Sequence, residues 1–196
     1  MSRRLDPQLE ECILDAAQKL WKKGGEDALT MRAVAKTAGT NTPAVYRRFR
    51  NRHEILIALL RRMQRELGDV LRPCQSPQEI CQRYVEYAVS HPHEYELFYE
   101  GARHLPPPTR PGSVPSLREF RPNVALMEEK FVEWLGGSVS DHTRLVLSLL
   151  IAAHGTAMAL ISRALPEEHV PELRAAFRAT VETLVRDASA AMPRKS

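Results

Sequence analysis

Apolar residues recur along this chain at three- and four-residue steps, the spacing of one face of an α-helix. Leu9, Ile13, Ala16, Ala17 and Leu20 mark the first such face. Asp6-Pro7 precedes it, a capping side chain followed by a proline suited to a first helical turn. Gly24-Gly25 predicts its end. Thr30 is placed to cap a short second helix over residues 31–38, with Val34 and Ala35 inward and Gly39 closing it. Pro43 falls in the first turn of a third helix carrying Val45, Tyr46 and Phe49. Asn51 is placed to cap a fourth, running from Arg52 through Ile55, Leu56, Leu59, Leu60, Met63 and Leu67 to about Leu71.

Past Pro73 the pattern restarts. Ser76-Pro77-Gln78-Glu79 matches a capping box and opens a helix with Ile80, Tyr84, Tyr87 and Ala88 on one side. Another helix follows His91-Pro92, and residues 105–116, with five prolines and a glycine, predict a loop. Helices are expected again at 117–135, 141–164 and 167–191, the last with Leu173, Phe177, Val181, Leu184 and Ala188 on one face. No stretch alternates long enough to predict a strand. The expected fold class is all-α.

Charge changes this picture more than composition does. The 196 residues are 43% hydrophobic and 27% charged, an ordinary globular balance, with a formal net charge of +4. Residues 1–72 hold 15 basic against 9 acidic side chains, whereas residues 73–196 hold 13 against 15. The positive field therefore belongs to the first third of the chain, where a polyanion is attracted. Cys12, Cys74 and Cys81 are too few and too scattered for a disulfide framework, which fits a reducing cytoplasm, and Cys12 reads as a small apolar helix residue. The N-terminal residues lack the apolar run of a signal peptide. The apolar run 145–162, between Arg144 and Arg163, contains Ser148, His154, Gly155 and Thr156. It reads as a central helix buried on most sides rather than a membrane span.

Residues 30–52, TMRAVAKTAGTNTPAVYRRFRNR, contain a short helix, a glycine-bearing turn and a second short helix, the parts of a helix-turn-helix. Thr40, Asn41 and Thr42 open the second helix with small polar groups able to reach phosphates and base edges. Arg47, Arg48, Arg50 and Arg52 follow, with no acidic residue between positions 40 and 52, and Tyr46 offers a flat ring to pack on sugar. The start of the fourth helix, with Arg52 and its free amides, suits an anchoring phosphate.

On these residues the chain resembles the TetR family of bacterial transcriptional regulators. The likeness runs through Leu9 to Leu20, Gly24-Gly25, Thr30-Met31-Arg32-Ala33-Val34-Ala35, Ala38-Gly39, Val45-Tyr46, Phe49 and Arg52-His53-Glu54-Ile55-Leu56. It departs at Arg48, where histidine is common, and Pro43 stands where glycine, alanine or proline is usual. The resemblance implies a DNA-binding head at 1–54, a helical ligand-binding and dimerisation domain at 55–196, and repression relieved by a small molecule. It implies phosphate contacts from Thr30, Tyr46, Arg48 and Arg52. Base or mixed contacts would come from Arg32, Thr40, Asn41, Thr42, Pro43 and Arg47, with Val34, Val45 and Phe49 as core. Arg3 and Arg4 read either as a groove-reaching arm or as a frayed terminus.

One helix-turn-helix touches few bases, so a twofold dimer reading a palindromic operator is expected, paired through the last two helices. The segment 91–98 and His154-Gly155 resemble the TetR subgroup named for a Trp-His-Gly signature, although Ala153 replaces the tryptophan. In such domains the effector pocket lies among the middle helices. Tyr95, Phe98, Tyr99, Met127, Phe131, Trp134, His154 and Met158 are candidate lining residues, and each taken singly reads more readily as plain core. His154 also reads as a hydrogen-bonded core histidine.

No metal or cofactor is expected, because His91, His93 and His104 lack ligand partners at metal spacing. No phosphate-cradling glycine loop or nucleophile turn points to an enzyme. An activator, a regulator without a ligand, or a helical adaptor whose basic head meets another acidic partner remain alternatives.

Overall fold

The computed structural model describes residues 7–100 and 121–191. The expected arm at Arg3 and Arg4, the 105–116 loop and the first residues of the helix expected from 117 lie outside them. The described residues form nine α-helices and one short 3-10 turn, with no strand among them. The fold is all-α, and it divides into two compact units.

The first unit comprises the described residues up to Met63 together with residues 93–100. It contains α1 (Pro7–Ala28), α2 (Met31–Thr37), α3 (Thr42–Arg48), the first half of α4 (Arg52–Leu71) and most of α6 (Pro92–Glu100). Ile13, Ala16 and Ala17 are buried as their spacing predicts, and Leu9 and Leu20 pack against the same core. Cys12 is on α1 but exposed, because it precedes Ile13 and falls off the buried stripe. The helix does break at Gly24-Gly25, where Gly25 takes φ 58° and ψ −145°, a conformation open only to glycine, and one more turn reaches Ala28. Trp21 donates its indole N–H to the His93 carbonyl at 3.0 Å, which fastens α6 to α1 within this unit.

The second unit comprises residues 64–92 and 121–191. It holds the rest of α4, α5 (Pro77–Ser90), α7 (Pro122–Leu135), α8 (Val139–Ile161) and α9 (Val170–Ala191). Helix α8 packs against α5, α7 and α9. It buries a stripe of Val146, Leu149, Ala153 and Ala157, and the helices packed on it bury Ile80, Tyr84, Met127, Phe131, Phe177 and Val181. The domain boundary expected at residue 54 falls inside α4, which runs unbroken from one unit into the other.

Three helix ends differ from expectation. Helix α8 begins at Val139, because Ser138 is the cap and Asp141 is the residue that reaches back, accepting the Ser138 amide at 2.8 Å. It stops at Ile161, where Arg163 turns to φ 50°. Residues Glu167–His169 form a 3-10 turn rather than the start of α9, since Pro171 has no N–H to bond the Glu167 carbonyl. Helix α8 is also less enclosed than expected. Ile151 is 73% exposed and Leu147 lies bare beside it, so one apolar face remains open in the single chain. By length and composition this is the one helix among the described residues that could cross a bilayer, and a third of its most apolar stretch is buried.

Candidate nucleic-acid interface

The helix-turn-helix is assembled by local hydrogen bonds. The Thr30 hydroxyl accepts the Ala33 amide at 3.1 Å and caps α2. Gly39 turns the chain at φ 66°, and the Thr40 amide donates to the Ala35 carbonyl at 2.9 Å. Asn41 caps α3 by accepting the Ala44 amide at 2.9 Å, and Pro43 takes the first turn of that helix. Thr30 and Asn41 thus spend one oxygen each on a helix end, which fixes where the rest of the side chain stands.

Helix α3 buries Ala44 and Val45 and turns Pro43, Tyr46 and Arg47 outward, with Thr42 half-exposed. Tyr46 is 52% exposed, although a large aromatic side chain is normally drawn into a core. Val34, Val45 and Phe49 are buried, as expected for core. Arg32 on α2 is exposed and Thr40 half-buried. Two expected phosphate contacts are already engaged. Arg48 is half-buried, ion-paired with Glu10 of α1, its guanidinium 5.8 Å from the Phe49 ring centre. Arg52 donates to the Glu26 carboxylate at 2.8 Å and to the Glu26 carbonyl at 3.3 Å. At the start of α4, Asn51 accepts the Glu54 amide and the Glu54 carboxylate accepts the Arg50 amide at 2.7 Å. Helical spacing could not have revealed Glu10 and Glu26, because both reach their arginines across the fold.

The residues from Ile13 to Leu59 match the family model described as bacterial regulatory proteins, tetR family. Residues 78–184 match the tetracyclin repressor-like C-terminal domain, which alone spans more than half of the chain. The chain belongs to the TetR family. Solved structures carry the same fold at low identity. A TetR-family transcriptional regulator from Streptomyces coelicolor is 21% identical, with 90% of this chain and 99% of that one covered and a TM-score of 0.62. The multidrug binding protein EbrR, complexed with imidazole, is 19% identical, covering 100% and 96%, with a TM-score of 0.66. A TetR variant from Acinetobacter baumannii AYE in complex with minocycline is 19% identical, covering 90% and 94%, with a TM-score of 0.58. No curated protein sequence matches significantly. As a TetR-family member the chain is a DNA-binding regulator and not an enzyme.

The eight candidate effector residues of this TetR-family chain are divided between the two units. Tyr95 is buried in the first unit, its ring centre 5.0 Å from that of Tyr99. The Phe98 side chain lies outside the described residues. In the second unit Met127 and Phe131 are buried core, and Trp134 meets Phe131 edge-on at 5.6 Å. His154 and Met158 are half-buried on α8. Burial, and then the Arg121 charge, hold the His154 imidazole below its usual pKa. Among the described residues no group of three or more His, Cys, Asp or Glu side chains converges as a metal site.

Proposed function

We propose that this chain is a cytoplasmic, homodimeric repressor that leaves a palindromic operator when a small molecule binds its C-terminal domain. The observation that carries this reading is the outer face of α3, where Pro43, Tyr46 and Arg47 stand in solvent on a helix held rigidly by its caps. An exposed tyrosine beside arginines has no packing role to explain it, and suits a helix lying in the major groove. In this reading, the DNA-contacting residues all lie within 1–54. Thr30, Tyr46, Arg48 and Arg52 meet phosphates, and Arg32, Thr40, Asn41, Thr42, Pro43 and Arg47 meet bases or both.

The open apolar face of α8 supports pairing with a second copy, because Ile151 and Leu147 would otherwise stay in water. Two heads must then sit roughly 34–36 Å apart, one turn of DNA. The relatives holding minocycline and imidazole support an effector-binding C-terminal domain. An effector there would shift the spacing of the heads through α4. A coupling of about 1–3 kcal/mol corresponds to roughly 5- to 150-fold in operator affinity.

Selection of bound duplexes from a random pool at near-physiological salt tests the reading. An enriched inverted repeat is the expected result. Salt-sensitive binding with no enriched sequence would overturn it and put the basic helical adaptor ahead.

A further inference from the structure

The second unit has a hollow that none of the eight candidate effector residues touches. It opens between α5 and α9, with buried Thr156 of α8 also in its lining, and has a volume of about 100 Å³. Val85, Phe177 and Val181 give it an apolar floor, all three buried. Arg174 and Arg178, one helical turn apart on α9, stand over that floor. Gln78 and Gln82, one turn apart on α5, face them across the opening.

Arg174 is the unusual part. Arg174 is half-buried, and neither it nor Arg178 has a carboxylate within ion-pair distance among the described residues. Elsewhere in the chain arginines near acids do pair, as Arg62 does with Asp15 at 2.6 Å and Arg83 with Glu86 at 3.7 Å. Glu182 follows Arg178 by four residues, the spacing at which a helix favours an ion pair, and lines the same hollow without making one. A guanidinium drawn part-way out of water without a counter-charge is costly, and an arriving anion relieves that cost.

We propose that this groove binds a short-chain carboxylate. Two guanidinium groups line the groove and can donate to a carboxylate's two oxygens, and Gln78 adds an amide donor to the same lining. Gln82 is partly committed, since its amide donates to Glu86 at 2.8 Å. The floor takes the hydrocarbon end. Size limits that end: a cavity of roughly 150 Å³ admits benzene, so about 100 Å³ admits a chain of only a few carbons. The groove shares no lining residue with the expected DNA contacts or with the effector candidates discussed above.

Butyrate titrated into the full chain tests the proposal, read by calorimetry and by the methyl resonances of Val85 and Val181. Saturable binding that shifts both valines is expected, with no such shift from 1-butanol, which lacks the charge. Inorganic phosphate, which lacks the apolar end, should bind more weakly. Arg174→Gln and Arg178→Gln should each weaken butyrate by about tenfold or more, whereas Glu182→Gln should tighten it by removing a like charge. Arg178 is exposed, so its replacement leaves the fold intact and keeps the test valid if Arg174→Gln misfolds. Unshifted valines, equal binding of 1-butanol or phosphate, or butyrate binding unchanged in Arg178→Gln would each overturn the proposal.

Discussion

Glu10 on α1 holds Arg48 at the end of the recognition helix, so the chain supplies its own anion to a cation that is expected to meet a DNA phosphate. A bound phosphate must share or replace that carboxylate. Glu10→Gln should therefore tighten binding to every duplex modestly, and Arg48→Met should weaken all duplexes to a similar degree. The slope of log affinity against log salt should fall by about one in Arg48→Met, the signature of one lost phosphate contact. Fluorescence titrations on operator and random duplexes over a salt series measure both. A change confined to the operator would place Arg48 on a base instead.

Tyr46 and Arg47 are neighbours on the outer face of α3 but are expected to act differently. Tyr46→Ala should lower affinity for all sequences alike, because sugar and phosphate carry no sequence information. Thr42→Ala and Arg47→Ala should instead relax preference at particular base pairs, each by about 1–3 kcal/mol. Binding to a library of single-base operator variants separates the two outcomes. Uniform loss for Thr42→Ala would remove it from the base readers.

Short-range chemistry was readable in advance, and long-range chemistry was not. Thr30, Asn51 and Ser76 each cap a helix as their positions predict, because a cap is decided within three residues, and Asn41 caps α3 in the same way. Val34 was legible as core from spacing, and the family resemblance implied the same for Val45 and Phe49. Helix starts slipped where two caps competed, as with Ser138 and Asp141, or where a proline silenced an amide, as with Pro171. Glu10, Glu26 and the unpaired Arg174 depend on which helices meet, and helical periodicity carries no information about that. The candidate effector residues were the least legible, since an apolar side chain that lines a pocket and one that fills a core share one pattern.

Ile151 gives the dimer a direct test. It projects from the middle of α8 into solvent, so a charge there should leave the single chain folded. Ile151→Glu places two carboxylates against each other at a twofold contact and removes apolar burial from both sides. Sedimentation equilibrium should show the parent as a dimer and the variant as a single chain, with unchanged helical circular dichroism. Operator affinity should fall by roughly a hundredfold or more as the second head is lost. A variant that stays dimeric would move the pairing surface away from this face.

Glu94 ties α6 to α1, and its protonation should set the acid limit of the first unit. The residue is 2% exposed, and its carboxylate meets Lys22 at 2.5 Å and Gln18 at 3.2 Å. Burial works against its charge, but the Lys22 and Gln18 hydrogen bonds and its own backbone amide outweigh it and hold the carboxyl below the usual range. Because the folded value lies below the unfolded one, the carboxylate stabilises the fold above the ordinary value of 4.5. That stability is lost as pH falls from there through the folded value. Glu94→Gln should cost about 1–3 kcal/mol at neutral pH, the scale of a buried hydrogen bond to a charged group. In urea unfolding the gap between parent and variant should close as pH drops below about 4.5, since protonated Glu94 and glutamine are then alike in charge. A gap that stays constant across that range would mean that Glu94 does not act through its charge.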